Sequence, residues 1–89
     1  MATSKIISYD LCSSGKNYDD LYEYIKNFPK WAHITESTWF ISSELSCVDI
    51  RDAITKITDS DDRIFVAELT GVAAWRNLLC KSDYLKEHL

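Results

Sequence analysis

The order in which two hydrophobic periods alternate along this chain constrains its fold more than any other feature. Residues 5–11 alternate with a period of two, so Ile7, Tyr9 and Leu11 share one face of a strand and Ile6, Ser8 and Asp10 share the other. The next apolar side chains, Tyr18, Leu21, Tyr22, Ile25 and Phe28, return every three or four positions, which is the stripe of an amphipathic helix. Asn17 is placed to cap that helix, Asp19 and Asp20 lie at the positive end of its dipole, and Pro29 stops it. Residues 31–43 are rich in aromatic and β-branched side chains and have no helical stripe. They exceed the usual strand of about five or six residues, so two strands around a tight turn near Thr35 and Glu36 are the better reading, with one long bent strand as the alternative. Ser46 then caps a second helix with Asp49 in its first turn and Ile50, Ala53, Ile54 and Ile57 as its buried stripe. A polar loop at 59–62 leads into 63–69, the clearest strand in the chain. Residues 71–79 show no clear period and leave an extended edge segment open, and Ser82 and Asp83 cap a short last helix over 84–89.

Strand, helix, strand, strand, helix, strand is the ferredoxin-like βαββαβ order of the α+β class. Right-handed crossovers then place both helices on one face of a four-stranded antiparallel sheet with spatial order 4-1-3-2. One domain is expected over 1–89, with a core at about 4–69 and a C-terminal extension at 70–89. The second face of the sheet is expected to be uncovered. The first strand offers Ile6, Ser8 and Asp10 there and the last strand Ile64, Val66 and Glu68. The third strand adds apolar area whichever way it faces, through Trp39 and Ile41 or through Phe40. An apolar sheet face that helices leave bare usually marks an interface, and a homodimer is expected through it.

Composition narrows the class of protein. A chain that is 46% hydrophobic with two glycines and one proline is neither disordered nor collagen-like. No apolar run nears the roughly 20 residues of a membrane span, and the start of the chain shows no basic, apolar and cleavage-site sequence of a leader. A soluble cytoplasmic domain without membrane contact is expected. Ten Lys and Arg against 14 Asp and Glu give a formal net charge of −4. That is not the charge of a chain that coats nucleic acid, though it leaves room for a local basic rim or for a metal bridging carboxylate and phosphate. Cys12, Cys47 and Cys80 are odd in number and contain no C-x-x-C pair, so they read as reduced thiols.

Asp10 is the first candidate for chemistry. It ends a strand that runs antiparallel to both neighbours, which brings Ser37, Thr38, Arg63, Asp61 and Asp62 into its vicinity. One carboxylate is a poor metal site, but a two-fold axis nearby would supply a second, and paired carboxylates suit Mg²⁺. The plainer reading is that Asp10 caps the following loop or pairs with Arg63. Lys16, Lys30, Arg63 and Arg76, with the aromatics Tyr18, Trp31 and Trp75, are residue types that bind single-stranded nucleic acid by phosphate contact and stacking. The same residues also describe the ordinary rim of a small domain. Gly15 and Gly71 make no phosphate-binding loop. His33 and His88 have no cysteine or carboxylate at zinc-ligand spacing, and a catalytic Cys–His pair could form only between residues that meet in space.

Ile6, Ile7, Ser8, Tyr9, Asp10 and Leu11, followed by Tyr18, Asp19, Asp20 and Leu21, resemble the opening of the smaller CRISPR adaptation protein, whose first strand ends in a Tyr-Asp pair. Glu36, Ser37, Thr38, Trp39 and Phe40 are similar to that family's middle-strand motif, and Asp61 to Val66 to the entry into its last core strand. The resemblance covers about 4–69. It is closer to a branch of CRISPR-adaptation-like and VapD-like proteins with Ser-Thr-Trp and Ala-Trp-Arg segments, here Ser37, Thr38, Trp39 and Ala74, Trp75, Arg76. It implies a ferredoxin-like homodimer with Asp10 near the two-fold axis as a Mg²⁺ ligand and Ser37 as a catalytic neighbour of the substrate. Some members of that family resemble metal-dependent endonucleases acting on RNA or duplex DNA, and others act as non-catalytic scaffolds, so the resemblance implies either role. The chain departs from the family in its acidity, in Thr35 and Glu36 ahead of the serine, and in its tail. Three function classes follow: a metal-dependent nuclease, a silent dimer that binds nucleic acid or a nucleotide, and a protein-interaction dimer such as an antitoxin, adaptor or phage-defence accessory.

Overall fold

The computed structural model describes residues 2–11 and 18–89. Its strands are β1 (Thr3–Asp10), β2 (Lys30–Thr35), β3 (Thr38–Ser43) and β4 (Arg63–Glu68), and its helices are α1 (Asp19–Lys26), α2 (Cys47–Thr55) and α3 (Ser82–His88). The protein is an α+β domain with one four-stranded sheet in the order β2-β3-β1-β4, every neighbouring pair antiparallel. Residues 31–43 are two strands, with Glu36 and Ser37 in the turn between them. A register shift between His33 and Thr35 absorbs the tightness of that turn.

Local chemistry accounts for the helix ends. Ser46 caps α2, its Oγ accepting from the Asp49 amide at 3.1 Å. Tyr18 occupies the N-cap position of α1 and makes no side-chain cap bond, while the expected cap, Asn17, lies outside the described residues. Helix α1 ends at Lys26 with Asn27 as its C-cap, ahead of Pro29, whose ring disfavours helical backbone at the residue before it.

Register decides what each face carries. Ile7 stands opposite Trp39 on β3 and Val66 on β4, and Tyr9 stands opposite Ile64. These side chains lie under α1 and α2, where Leu21, Ile25, Ile50 and Ile54 are fully buried against them. Each such side chain contributes about 1.5–3 kcal/mol through removal from water, so this layer holds the fold. Lys5 shares the face and is only 3% exposed. Its ammonium donates to the Thr3 hydroxyl and, at 3.0 Å, to the Ser43 carbonyl, and it lies 3.6 Å from Glu68. Those partners come from three strands, and they satisfy a charge that would be costly to bury alone.

Two expectations about the second face are corrected. Ile64 and Val66 do not point to it; they belong to the helix-covered layer, and Phe65 and Ala67 take the second face opposite Ser8 and Ile6. Nor is that face bare. Helix α3 and the segment 69–81 fold over part of it, burying Ala32, Phe40 and Leu85 with Ile34, Leu69, Trp75 and Leu78 packed around them. The segment has no regular structure and is tied down by single bonds. The Leu79 amide donates to the Ile34 carbonyl at 3.0 Å, and the Trp75 indole donates to Ser82 Oγ at 2.8 Å. Its turns use positive φ at Gly71 (92°) and Asn77 (57°), residue types that tolerate this region. Because Ser82 serves Trp75, it does not cap α3; Lys81 holds the N-cap position with no side-chain bond. The uncovered part retains Ser8, Thr38 and Phe65 beside the end of β1. No described helix is long and apolar enough to cross a membrane.

Candidate functional site

The end of β1 gathers the residues that carried the chemical expectations. Asp10 pairs in register with Arg63, whose Nη1 donates to Asp10 Oδ2 at 2.8 Å. Both side chains are open to water, 68% and 74% exposed respectively, so solvent screens the pair to about 0.2–1 kcal/mol. The β2–β3 turn abuts Asp10 from the other side. The Tyr9 amide donates to the Ser37 carbonyl at 3.0 Å, and His33 Nε2 donates to the Glu36 carbonyl at 3.1 Å. Between turn and strand end lies a cleft of about 420 Å³ lined by Tyr9, Asp10, Leu11, Tyr22, Glu36 and Ser37. Asp10 and Ser37 are therefore brought together, and Glu36 joins them without having been singled out as a site residue.

The floor of the cleft is an aromatic stack. Tyr9 Oη accepts from the Trp39 indole at 2.9 Å, and its own O–H points to the Glu36 carbonyl at 3.4 Å. Burial pushes the Tyr9 phenol above its ordinary value, so it stays neutral and serves as a strut between core and turn. His33 stacks on Trp39 with centroids 4.0 Å apart and planes within 6°, and Tyr22 stacks on the same indole at 6.2 Å. His33 is thus a packed aromatic at the rim, and His88 lies against Tyr84 on α3.

The other candidates among the described residues do not converge on the cleft. Lys30 begins β2 opposite Ser42, at the end of the sheet remote from Asp10 and Arg63. Arg76 is exposed on the C-terminal segment over the second face, and Lys16 lies outside the described residues. Of the aromatics, Tyr18 is buried with its hydroxyl donating to Asp62 at 3.2 Å, and Trp75 is fixed by Ser82. Trp31 is exposed and has the Lys26 ammonium 5.7 Å from its ring centre. Cys47 and Cys80 are free thiols, and Cys12 lies outside the described residues. Among the described residues no three His, Cys, Asp or Glu side chains are close enough to hold a metal ion. Asp62 instead accepts from the Asp59 amide at 2.8 Å. Comparison of the chain with protein-family models, with curated proteins and with solved structures finds no match in any of the three.

Proposed function

We propose that this chain is a non-catalytic dimeric binding module of the ferredoxin-like class that engages a protein partner in the cytoplasm, as an antitoxin, adaptor or phage-defence accessory would. Its likeness to the small CRISPR adaptation and VapD-like proteins is, on this reading, one of scaffold. The observation that carries the reading is the guanidinium of Arg63 on the carboxylate of Asp10. A Mg²⁺ ion at Asp10 would compete with this guanidinium for the carboxylate. The sheet order, read from β4 as 4-1-3-2, supports the ferredoxin-like class, and the free thiols of Cys47 and Cys80 support a reducing compartment. The test is incubation with single-stranded RNA and with duplex DNA, in Mg²⁺, in Mn²⁺ and in chelator. The expected result is no metal-dependent cleavage. Cleavage that requires the metal and vanishes in Asp10→Asn overturns the reading.

One observation favours a second reading, a Mg²⁺-dependent endonuclease: Asp10 and Ser37 line one cleft together with Glu36. Two carboxylates, or Asp10 and its copy across a two-fold axis, would hold the ion, which would polarise the phosphate and activate a water. Ser37 would contact the substrate, with Lys16, Lys30, Arg63 and Arg76 as the residues available to bind nucleic acid. On that reading Asp10→Asn and Glu36→Gln both abolish cleavage.

A further inference from the structure

The sheet has two edges, β2 and β4, and they are built differently. Pro29 immediately precedes β2, Lys30 opens it, the register shift at His33 bends it, and Leu79 donates to its Ile34 carbonyl. These are the usual ways of blocking an edge against further pairing. Among the described residues, strand β4 has no proline, no register shift and no loop amide bound to it, and its charges are confined to its two ends. Arg63 and Glu68 stand at its ends, with Ile64, Phe65, Val66 and Ala67 between, and among the described residues β1 is its one strand neighbour. The Leu69 amide donates to the Ser4 carbonyl at 2.8 Å, which sets the alternation. Odd-numbered residues of β4 turn their backbone groups to β1, so Ile64, Val66 and Glu68 turn theirs outward. Both sides of this edge carry exposed apolar side chains, and Arg51 of α2 also lines the groove on the helix side. Phe65 is 59% exposed on the second face, and Ile64 and Val66 border a groove of about 270 Å³ that includes the exposed Val48 of α2.

We infer that β4 pairs antiparallel with the β4 of a second copy of this chain, about a two-fold axis at Phe65, to make one continuous sheet across the dimer. The inference rests on the dimeric reading above and names its surface. A second copy is the occupant because the strand is complementary to itself. About that axis Phe65 meets the partner's Phe65 as a close, non-hydrogen-bonded pair. Ile64 meets the partner's Val66, and their outward amides and carbonyls exchange hydrogen bonds. Arg63 falls opposite the partner's Ala67. Moving the axis to Val66 would set Ile64 against the partner's Glu68 and separate the phenylalanines. The chosen register places Asp62 opposite the partner's Glu68 at each end, so like charges flank an apolar centre. The association therefore strengthens as salt rises.

The test is the oligomeric state of the full chain at tens of micromolar, by sedimentation velocity, with folding checked by circular dichroism and thermal melting. The wild type is expected to be a dimer. Val66→Pro removes an outward amide and no bond to β1, and Phe65→Lys adds a charge at an exposed position; each is expected to weaken dimerisation at least tenfold in a folded chain. Under mild oxidation Phe65→Cys is expected to cross-link faster than the wild type, because the close pair brings the two α-carbons within disulfide reach. A wild-type dimer that both Val66→Pro and Phe65→Lys leave intact overturns the edge and spares the dimeric reading. A wild-type monomer overturns both. Phe65→Cys that cross-links no faster than the wild type overturns the axis at Phe65.

Discussion

The two faces of the sheet differ in what holds their covering layers in place. On one face α1 and α2 bury Leu21, Ile25, Ile50 and Ile54 against Ile7, Trp39 and Ile41, with side chains supplied by two helices and two central strands. On the other, the buried set is Ala32, Phe40 and Leu85, and the cover is a seven-residue helix without a side-chain cap plus a segment without regular structure. The first layer interlocks elements distant in sequence, and the second hangs from the end of the chain. Stability in such a molecule is graded. The helix-covered face is expected to open only when the domain unfolds, and α3 with its segment to open alone.

The largest effect expected is on the first layer. Leu21→Ala and Ile50→Ala each leave a cavity under a helix and should cost about 3–4 kcal/mol, a large share of the stability of a domain this small. Denaturant unfolding should show the midpoint falling with an unchanged slope. A loss under about 1 kcal/mol would mean that the helices are not held by this face. Leu85→Ala removes the one fully covered anchor of α3 and should cost about 2–3 kcal/mol locally. Amide exchange should then accelerate in 82–89 while α1 and α2 keep their protection. Uniform acceleration across all three helices would show that the two layers form one cooperative unit.

The same contrast explains what could be read from the sequence. The stripes of α1 and α2 were legible because each faces a polar side, the Ser46 cap was legible from local chemistry, and a turn near Thr35 and Glu36 was legible from the length of 31–43, one residue before its observed place at Glu36 and Ser37. Antiparallel strand order brought Arg63 into the vicinity of Asp10, and a cap on the following loop or a pair with Arg63 stayed open until the structure showed the pair. The face of β4 was not legible, since Ile64, Phe65, Val66 and Ala67 are all apolar and alternation is silent there. The cover of the second face was not legible either, because 71–79 is fixed by positive φ at Gly71 and Asn77 and by bonds to remote residues, which have no period. Lys5 read as an ordinary strand start. Its burial depends on acceptors from β3 and β4 that only the folded sheet brings near.

Titration sharpens the contrast with a smaller effect. Burial raises the Tyr9 and Tyr24 phenols above their ordinary value of 10.0, with Tyr9 under the first layer and Tyr24 on α1. A raised acid binds its proton more tightly in the folded state, so this stabilisation is whole below pH 10 and is lost as pH rises through the folded values. Glu68 runs the other way. The Thr3 hydroxyl and the Lys5 charge hold its carboxyl below the usual range, so its contribution is present above that range and fades as acid protonates it. Melting temperature against pH should decline at both ends, and Tyr9→Phe should flatten the alkaline limb. An alkaline limb unchanged in Tyr9→Phe would remove Tyr9 from this account.

The smallest effect belongs to the ion pair that carries the functional reading. Asp10 and Arg63 meet at 2.8 Å, but both are largely exposed, so the bond competes with water at every moment. Exposed pairs of this kind contribute roughly 0.2–1 kcal/mol, and salt reduces that further. Arg63→Ala should therefore shift stability by no more than about 0.5–1 kcal/mol, and a double-mutant cycle with Asp10→Asn should show a coupling of similar size that shrinks in high salt. The informative comparison is between this small cost and what the substitution frees. Without the guanidinium, Asp10 and Glu36 still line the same cleft. If Arg63 alone keeps the site silent, Arg63→Ala should raise the affinity for Mg²⁺ measured by calorimetry while leaving the fold intact. If the variant binds Mg²⁺ no better than the wild type, the arginine is not what keeps a metal out.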